Sequence, residues 1–108
     1  MTEPFVGQLR ARRGTIRVAP PGAAAITIRV EMPEVWDVVR METLPTEIVL
    51  AVKRRALDAL YPSEEHHEDF VLKFRGWEIL DESTTLADVG VTNGSILLLT
   101  YRKKRPVR

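Results

Sequence analysis

The stretch FRGWEILDESTTLADVGV, residues 74–91, decides the fold of this 108-residue chain. It has the pattern of a strand end, a glycine turn, a second short strand, a polar turn and a single helical turn closed by Gly90. Leu80, Leu86 and Val91 are expected to pin this irregular segment onto an apolar core. The stretch therefore predicts an irregular connection that packs on a folded domain.

Alternation of apolar and polar residues on both sides of this stretch predicts β-strands. Residues 70–74 alternate just before it, and residues 95–101 form a strand after the turn at Asn93-Gly94. Towards the N-terminus, residues 26–32 have a period of two, and a second β-rich run covers residues 35–43. The short break between these two runs favours an antiparallel hairpin.

The segment between the hairpin and residue 70 has the period of a helix. Residues 47–60 place their apolar side chains on one broad face, with Lys53 on the polar side. Thr46 is expected to cap the helix, and Pro62 to end it. The order strand, strand, helix, strand, short strand, strand predicts an α+β domain of the β-grasp kind (ββαββ), because a mixed sheet can cover the apolar face of a single helix.

The composition excludes several classes of protein. The chain has no cysteine, which rules out disulfides, a thiol nucleophile and cysteine-ligated zinc. Its longest apolar run has five residues, at 48–52, whereas a transmembrane helix needs roughly 20. We therefore expect a soluble, cytoplasmic protein with no transmembrane segment.

Charge and turn residues divide the chain into three parts. Residues 1–25 carry a net charge of +3, residues 26–100 carry −7, and residues 101–108 carry +5. Glycine and proline punctuate residues 1–25, so we predict a flexible or weakly structured extension there, a domain over 26–101 and a basic tail over 102–108. Within the extension, residues 15–18 allow a short strand as an alternative.

The basic ends allow two interpretations. They can bind nucleic acid, an anionic membrane surface or an acidic protein, or they can merely aid solubility and fold back on the acidic body. The tail residues that would carry a binding role are Lys103, Lys104, Arg105 and Arg108.

Residues 26–102 resemble ubiquitin. The family has a Phe-x-Gly turn, then a leucine with an acidic pair, then Thr-Leu-x-Asp and an aliphatic residue. These positions are occupied here by Phe74, Gly76, Leu80, Asp81, Glu82, Thr85, Leu86, Asp88 and Val91. The resemblance implies a β-grasp fold. The sequence shows no Gly-rich phosphate loop, Ser-His-Asp set or buried carboxylate pair, so we expect no enzymatic activity and no cofactor.

The sequence departs from ubiquitin at the tail. The conjugated members of the family end in Gly-Gly, and only glycine threads the narrow channel of their activating enzymes. Arg105-Pro106 stand at the matching positions, and proline has a fixed φ while arginine is bulky. We therefore predict a protein that is not conjugated, with a ubiquitin-like modifier as the disfavoured alternative.

The resemblance also indicates a binding face. Ubiquitin docks partners through an exposed apolar patch on its sheet, and the alternation predicts an exposed stripe on the corresponding strands here. The candidate partner-binding residues are Val71, Lys73, Ile96, Leu98, Thr100 and Arg102. The alternative is that the N-terminal extension covers this stripe through Phe5, Val6, Leu9 or Ile16.

A weaker resemblance concerns the small ubiquitin-like YukD/EsaB group of bacterial type VII secretion loci, which has a stretch similar to residues 90–94. It would make the chain an accessory protein of a bacterial secretion system or a similar one, and the Arg- and Ala-rich composition would suit a bacterium.

Two further groups of residues have a structural interpretation. The acidic loop at residues 64–69 contains two adjacent histidines, but it lacks a distant partner, so we predict a solvated loop and no metal site. Trp36 is expected in or near the core. Trp77 is expected to pack there as well, with a half-exposed binding position as the alternative.

Overall fold

The computed structural model describes residues 15–102, which form one mixed sheet and two α-helices. Three-residue 3₁₀ turns lie at Pro33–Val35 and His67–Asp69. The elements are β1 (Thr15–Arg17), β2 (Ile26–Met32), β3 (Asp37–Thr43), α1 (Val49–Leu60), β4 (Phe70–Phe74), β5 (Trp77–Glu78), α2 (Leu86–Val89) and β6 (Ile96–Tyr101).

The sheet has the strand order β1-β3-β2-β6-β4-β5. β2 and β3 pair antiparallel as the predicted hairpin, whereas β2 and β6 run parallel in the centre. α1 packs on one face of the sheet. Its apolar residues join those of the strands in a single core cluster. The α+β class and the β-grasp arrangement predicted from the element order are confirmed.

β1 adds a strand that the element order did not include. Residues 15–17 pair in parallel with residues 40–42 of β3. The side chain of Arg17 holds the following turn, because it donates to the carbonyls of Pro20 and Ala23, at 2.9 Å each. The short strand that residues 15–18 allow therefore forms over residues 15–17 and belongs to the sheet, within the range that we predicted to be flexible or weakly structured.

The helix begins two residues later than predicted and without the predicted cap. Ile48 is the N-cap residue of α1, and no side chain caps this end. The amides of Val49 and Leu50 instead donate to the carbonyls of Thr84 and Glu82, at 2.9 Å each. Thr46 is not needed, because the backbone of the irregular segment satisfies the first amides of the helix.

The irregular segment after β5 is joined to the approach of α1 by further backbone contacts. The amide of Leu86 donates to the carbonyl of Glu47, and the amide of Ala87 donates to that of Pro45, both at 2.9 Å. The Asp81 side chain holds the preceding turn by accepting from the hydroxyl and the amide of Ser83, at 2.6 and 3.1 Å. These two hydrogen bonds lower the pKa of the Asp81 carboxyl below its ordinary value.

Local signals at α2 are confirmed. Thr85 caps it by accepting a hydrogen bond from the amide of Asp88, at 3.1 Å. Gly90 ends it with a φ of 102°, in the left-handed region that favours glycine. Leu86 and Val91 are buried as expected, but Leu80 is 72% exposed. Ile79 is buried in its place, so the apolar anchor is one residue earlier than we predicted.

Lys53 is buried, in contrast to the prediction that it lies on the polar side of the helix. It is only 1% exposed. Its Nζ donates to Glu82 Oε2 at 2.6 Å and to the Phe70 carbonyl at 3.1 Å. The helical period of the sequence shows on which face of the helix a residue lies, but it does not show which other parts of the chain cover that face. The Glu82 carboxylate lies beside this part of the helix, so a charge is stable there.

Neither helix among residues 15–102 is long and apolar enough to cross a bilayer.

We predict that Lys53→Met lowers the free energy of unfolding by about 3 kcal/mol, because it leaves the Glu82 carboxylate and the Phe70 carbonyl without their donor in a mostly buried site. Urea unfolding measures the change. The double variant Lys53→Met, Glu82→Leu should recover part of the loss, and the neighbouring exposed Arg54→Met should change stability by less than about 0.5 kcal/mol. Equal stability of Lys53→Met and the wild type would contradict this assignment.

Candidate functional site

The sheet has one face that α1 does not cover, and we call it the outer face. Side chains alternate along each strand, so the residues between the core positions of the strands point to this side. Its central members are Arg29 and Glu31 on β2, Val38 and Arg40 on β3, Val71 and Lys73 on β4, and Ile96, Leu98 and Thr100 on β6.

The structure brings the predicted partner-binding residues together but does not expose all of them. Ile96 is 50% exposed, and Leu98, Lys73 and Thr100 are half-buried. In the sheet register, Lys73 lies opposite Leu98, and Val71 lies opposite Thr100. The stripe therefore exists as a continuous patch on β4 and β6.

Val71 is fully buried, which corrects the prediction that it is exposed. It stands in an interior strand, opposite Thr100 and next to the longer side chain of Lys73. Alternation gives the side to which a strand residue points, but a short side chain on that side is easily covered by longer neighbours. The accessible apolar residues of the stripe are Ile96 and part of Leu98.

Most of the residues proposed to cover this stripe lie outside the described range. Phe5, Val6 and Leu9 precede residue 15, so their prediction stays open. Ile16 is described, and it packs against the core cluster from β1 at the far edge of the sheet. Ile16 therefore does not cover Ile96 or Leu98.

Trp36 is 90% exposed, which corrects its prediction as a core residue. It does not belong to β3 but follows the 3₁₀ turn between the two strands of the hairpin, with φ 54° and ψ 43°. Its side chain, together with Arg29 and Val38, lines an open groove of about 340 Å³. Trp36 thus extends the apolar surface of the outer face.

The turn that carries Trp36 is attached to β6 by Glu34. The carboxylate Oε2 of Glu34 accepts from the Thr100 hydroxyl at 2.6 Å and from the Tyr101 amide at 3.2 Å. Thr100, a predicted partner-binding residue, therefore has a positioning contact within the fold. The sequence pattern did not reveal this contact, because the two residues lie 66 positions apart.

The signal that could have identified Trp36 as a turn residue is the symmetry of the hairpin. β2 and β3 each have seven residues, and Met32 pairs with Asp37. The four residues between them must form the turn, and Pro33 marks its beginning.

A second exposed tryptophan lies away from the outer face. Trp77 is 78% exposed, which corrects its prediction as a packed residue and agrees with the alternative. It pairs with Phe74 at the β5 edge of the sheet and lines a groove of about 540 Å³ that also contacts Val89. The preceding turn has positive φ at Arg75 and Gly76, 56° and 85°, as two-residue hairpins require.

The remaining candidate residues are at the margins of the described range. Arg102 is exposed, and its amide donates to the carbonyl of Asp69 at 2.7 Å. Lys103, Lys104, Arg105 and Arg108 lie outside the described residues. Within residues 15–102, no three His, Asp or Glu side chains come together in a group that could hold a metal ion.

We predict that Trp36→Gly leaves the free energy of unfolding unchanged or raises it by up to about 1 kcal/mol, because glycine relieves the left-handed backbone and little packing is lost. Thermal and urea unfolding measure this. Arg75→Gly is the matched control, since it relieves the same backbone conformation at the other end of the sheet. A loss of 2 kcal/mol or more in Trp36→Gly, on the order of a core truncation, would show that the indole supports the fold.

No protein-family model matches the chain, and no curated protein matches its sequence. Solved structures with the same fold do match it. The solution NMR structure of a ubiquitin-like domain from an Arabidopsis thaliana protein has a TM-score of 0.63 and 18% identity, over 84% of this chain and 92% of that one. A ubiquitin from Caldiarchaeum subterraneum has a TM-score of 0.61 and 21% identity, over 74% of this chain and 96% of that one.

These similarities confirm the resemblance to ubiquitin at the level of fold. The weaker resemblance at residues 90–94 is accounted for by local geometry. Gly90 and Gly94 have φ of 102° and 89°, and the Gly94 amide donates to the Thr27 carbonyl at 2.7 Å. Any chain that makes these two turns here favours glycine, so the geometry neither supports nor contradicts the weaker resemblance, which stays a prediction. The chain has the ubiquitin-like β-grasp fold.

Proposed function

We propose that this protein is a non-enzymatic, ubiquitin-like interaction module that binds a protein partner through its outer face. The observation that carries the proposal is the 90% exposure of Trp36 on the same face as Ile96 and Leu98. Burying a tryptophan against a partner removes a large apolar area from water, and tryptophan is enriched at the energetic centres of interfaces.

The backbone at Trp36 supports a role beyond folding. A left-handed conformation costs a bulky residue about 1–2 kcal/mol, and glycine or asparagine would occupy this position without that cost. The turn is held to β6 by the Glu34 contacts. A large side chain kept exposed in a strained, anchored turn is a feature that is common at binding sites.

Charged side chains border the apolar residues of the outer face. The register places Glu31 of β2 opposite Leu98, and Arg29 of β2 opposite Ile96. Ile96, Leu98 and the Trp36 groove therefore lie on neighbouring strands, with charged side chains between and around them. An apolar centre with a charged rim is the usual anatomy of a protein interface.

Non-covalent binding is the mode of action that we propose. Arg105-Pro106 stand where the conjugated members of the ubiquitin-like group carry glycines, and neither residue suits the channel of an activating enzyme. We propose no catalytic role. The Thr100 hydroxyl donates to the Glu34 carboxylate, but that carboxylate also accepts from the Tyr101 amide, so the pair anchors the turn. A role in a bacterial secretion system remains a prediction from the weaker resemblance alone.

The second candidate is electrostatic binding of nucleic acid or an anionic membrane by the basic ends. Residues 101–108 carry a net charge of +5, which favours it. This mode predicts an affinity that falls steeply with salt, whereas binding centred on Trp36 and Leu98 should lose much less affinity over the same range of salt, because apolar burial is not screened.

We predict that Leu98→Glu reduces capture of the protein partner by about tenfold or more, because it places a carboxylate in the apolar centre of the face. The measurement is affinity capture from cells that make this protein, quantified by mass spectrometry at two salt concentrations. Leu80→Glu is the control, since it makes the same substitution at an exposed leucine of the irregular segment. If folded Leu98→Glu captures the same proteins in the same amounts as the wild type, the proposal is contradicted.

A further inference from the structure

The outer face contains two arginines that the hairpin places directly opposite each other. Arg29 of β2 and Arg40 of β3 are register partners, and both are exposed. Like charges at such a position repel across a distance of about 5 Å and destabilise the pair of strands. Neither arginine belongs to the core cluster, so their side chains are not held at this position by packing in the core.

Neither arginine is well neutralised within the described part of the chain. The nearest carboxylate to Arg29 is that of Glu31, at 3.9 Å and exposed. Arg40 forms no ion pair with any of residues 15–102. Arg17 on β1 behaves differently, because Glu42 binds it at 2.9 Å and two carbonyls take its remaining donors. Arg29 and Arg40 thus retain free guanidinium donors that point to solvent.

The arginine pair adjoins the apolar part of the outer face. Arg29 lines the groove of Trp36 and Val38 and lies opposite Ile96. Arg40 is two residues beyond Val38 on the same face, a distance of about 7 Å along the strand. If a peptide places an apolar side chain in this groove, a polar side chain a few residues away in the peptide can reach Arg29 and Arg40.

We propose that the partner is an acidic protein segment, which places a carboxylate between Arg29 and Arg40 and an apolar side chain in the groove of Trp36 and Val38. This inference rests on the proposed function and adds the chemical class of the partner. Two guanidinium groups match a carboxylate, because each offers paired donors in one plane.

The distribution of acidic residues favours a protein segment over nucleic acid. Glu31 and Glu42 lie on the same face as the arginines, and Glu34 lies in the adjoining turn. A continuous phosphate backbone would meet these carboxylates, whereas a peptide can place its single carboxylate between them. Only one exposed aromatic, Trp36, is described on this face, which is too few for successive bases to stack.

The test uses a displayed library of random 12-residue peptides, selected against the folded chain, followed by calorimetric titration of the enriched peptides. We expect the enriched peptides to carry Asp or Glu two or three positions from an aromatic or aliphatic residue. The double variant Arg29→Glu, Arg40→Glu should weaken their binding by about tenfold or more. Arg29→Gln, Arg40→Gln should weaken it by a smaller factor, and it serves as the second variant if the glutamates impair folding.

The matched control is Arg54→Glu, Arg55→Glu, which makes the same change of charge on the exposed side of α1. It should alter the affinity by less than about twofold. Replacing the acidic residue of an enriched peptide by lysine should abolish binding to the wild type and restore binding to Arg29→Glu, Arg40→Glu.

Two outcomes separate this inference from the proposed function. If enriched peptides lose binding with Leu98→Glu but bind Arg29→Glu, Arg40→Glu as tightly as the wild type, the acidic partner is wrong and the outer face remains the binding site. If their binding is unaffected by both Leu98→Glu and Trp36→Ala, the proposed function fails together with the inference.

Discussion

The arrangement of this domain depends on the hydrogen bonds that the buried ammonium group of Lys53 donates to Glu82 and to the Phe70 carbonyl. It joins α1 to the first residue of β4 and, through Glu82, to the irregular segment that follows β5. A charge in this position is stable only if all its partners are present, since desolvation would otherwise exceed the gain. The contact therefore couples three parts of the chain that are distant in sequence, beside the backbone hydrogen bonds by which the irregular segment caps α1.

Lys53 holds β4 against α1, and the position of β4 bears on which side chains meet on the outer face of the sheet. β4 pairs with β6, and β6 pairs with β2, so the registers of Lys73, Leu98 and Glu31 are linked. The core-side residues of these strands are buried against α1, and their alternating partners form the outer face. The hairpin turn is then attached to the end of β6 by Glu34, which fixes Trp36 beside this face.

Most strands were predictable from alternation, whereas exposure within them was not. Residues 26–32 and 70–74 have the predicted bounds, because a sheet with one buried face requires a period of two. Alternation also placed Val71 on the outer face correctly, but its burial depends on the neighbours that other strands bring beside it. The two tryptophans show the same limit. Hydrophobicity favours burial, but Trp36 follows the turn of the hairpin and Trp77 lies in the two-residue edge strand β5, and both side chains are exposed.

The sequence by itself determined the element order from residue 26 onwards, the helical turn closed by Gly90 and the ubiquitin-like motif of residues 74–91, because these depend on local periodicity and turn chemistry. Only the tertiary structure decided the burial of Lys53, the exposure of Trp36 and the pairing of Arg29 with Arg40. The first depends on Glu82, which is distant in the chain, and the other two depend on the register of the β2–β3 hairpin, which the alternation of residues does not fix. Their distances and their exposure to water are set by how strands and helix pack, and local sequence does not contain that information.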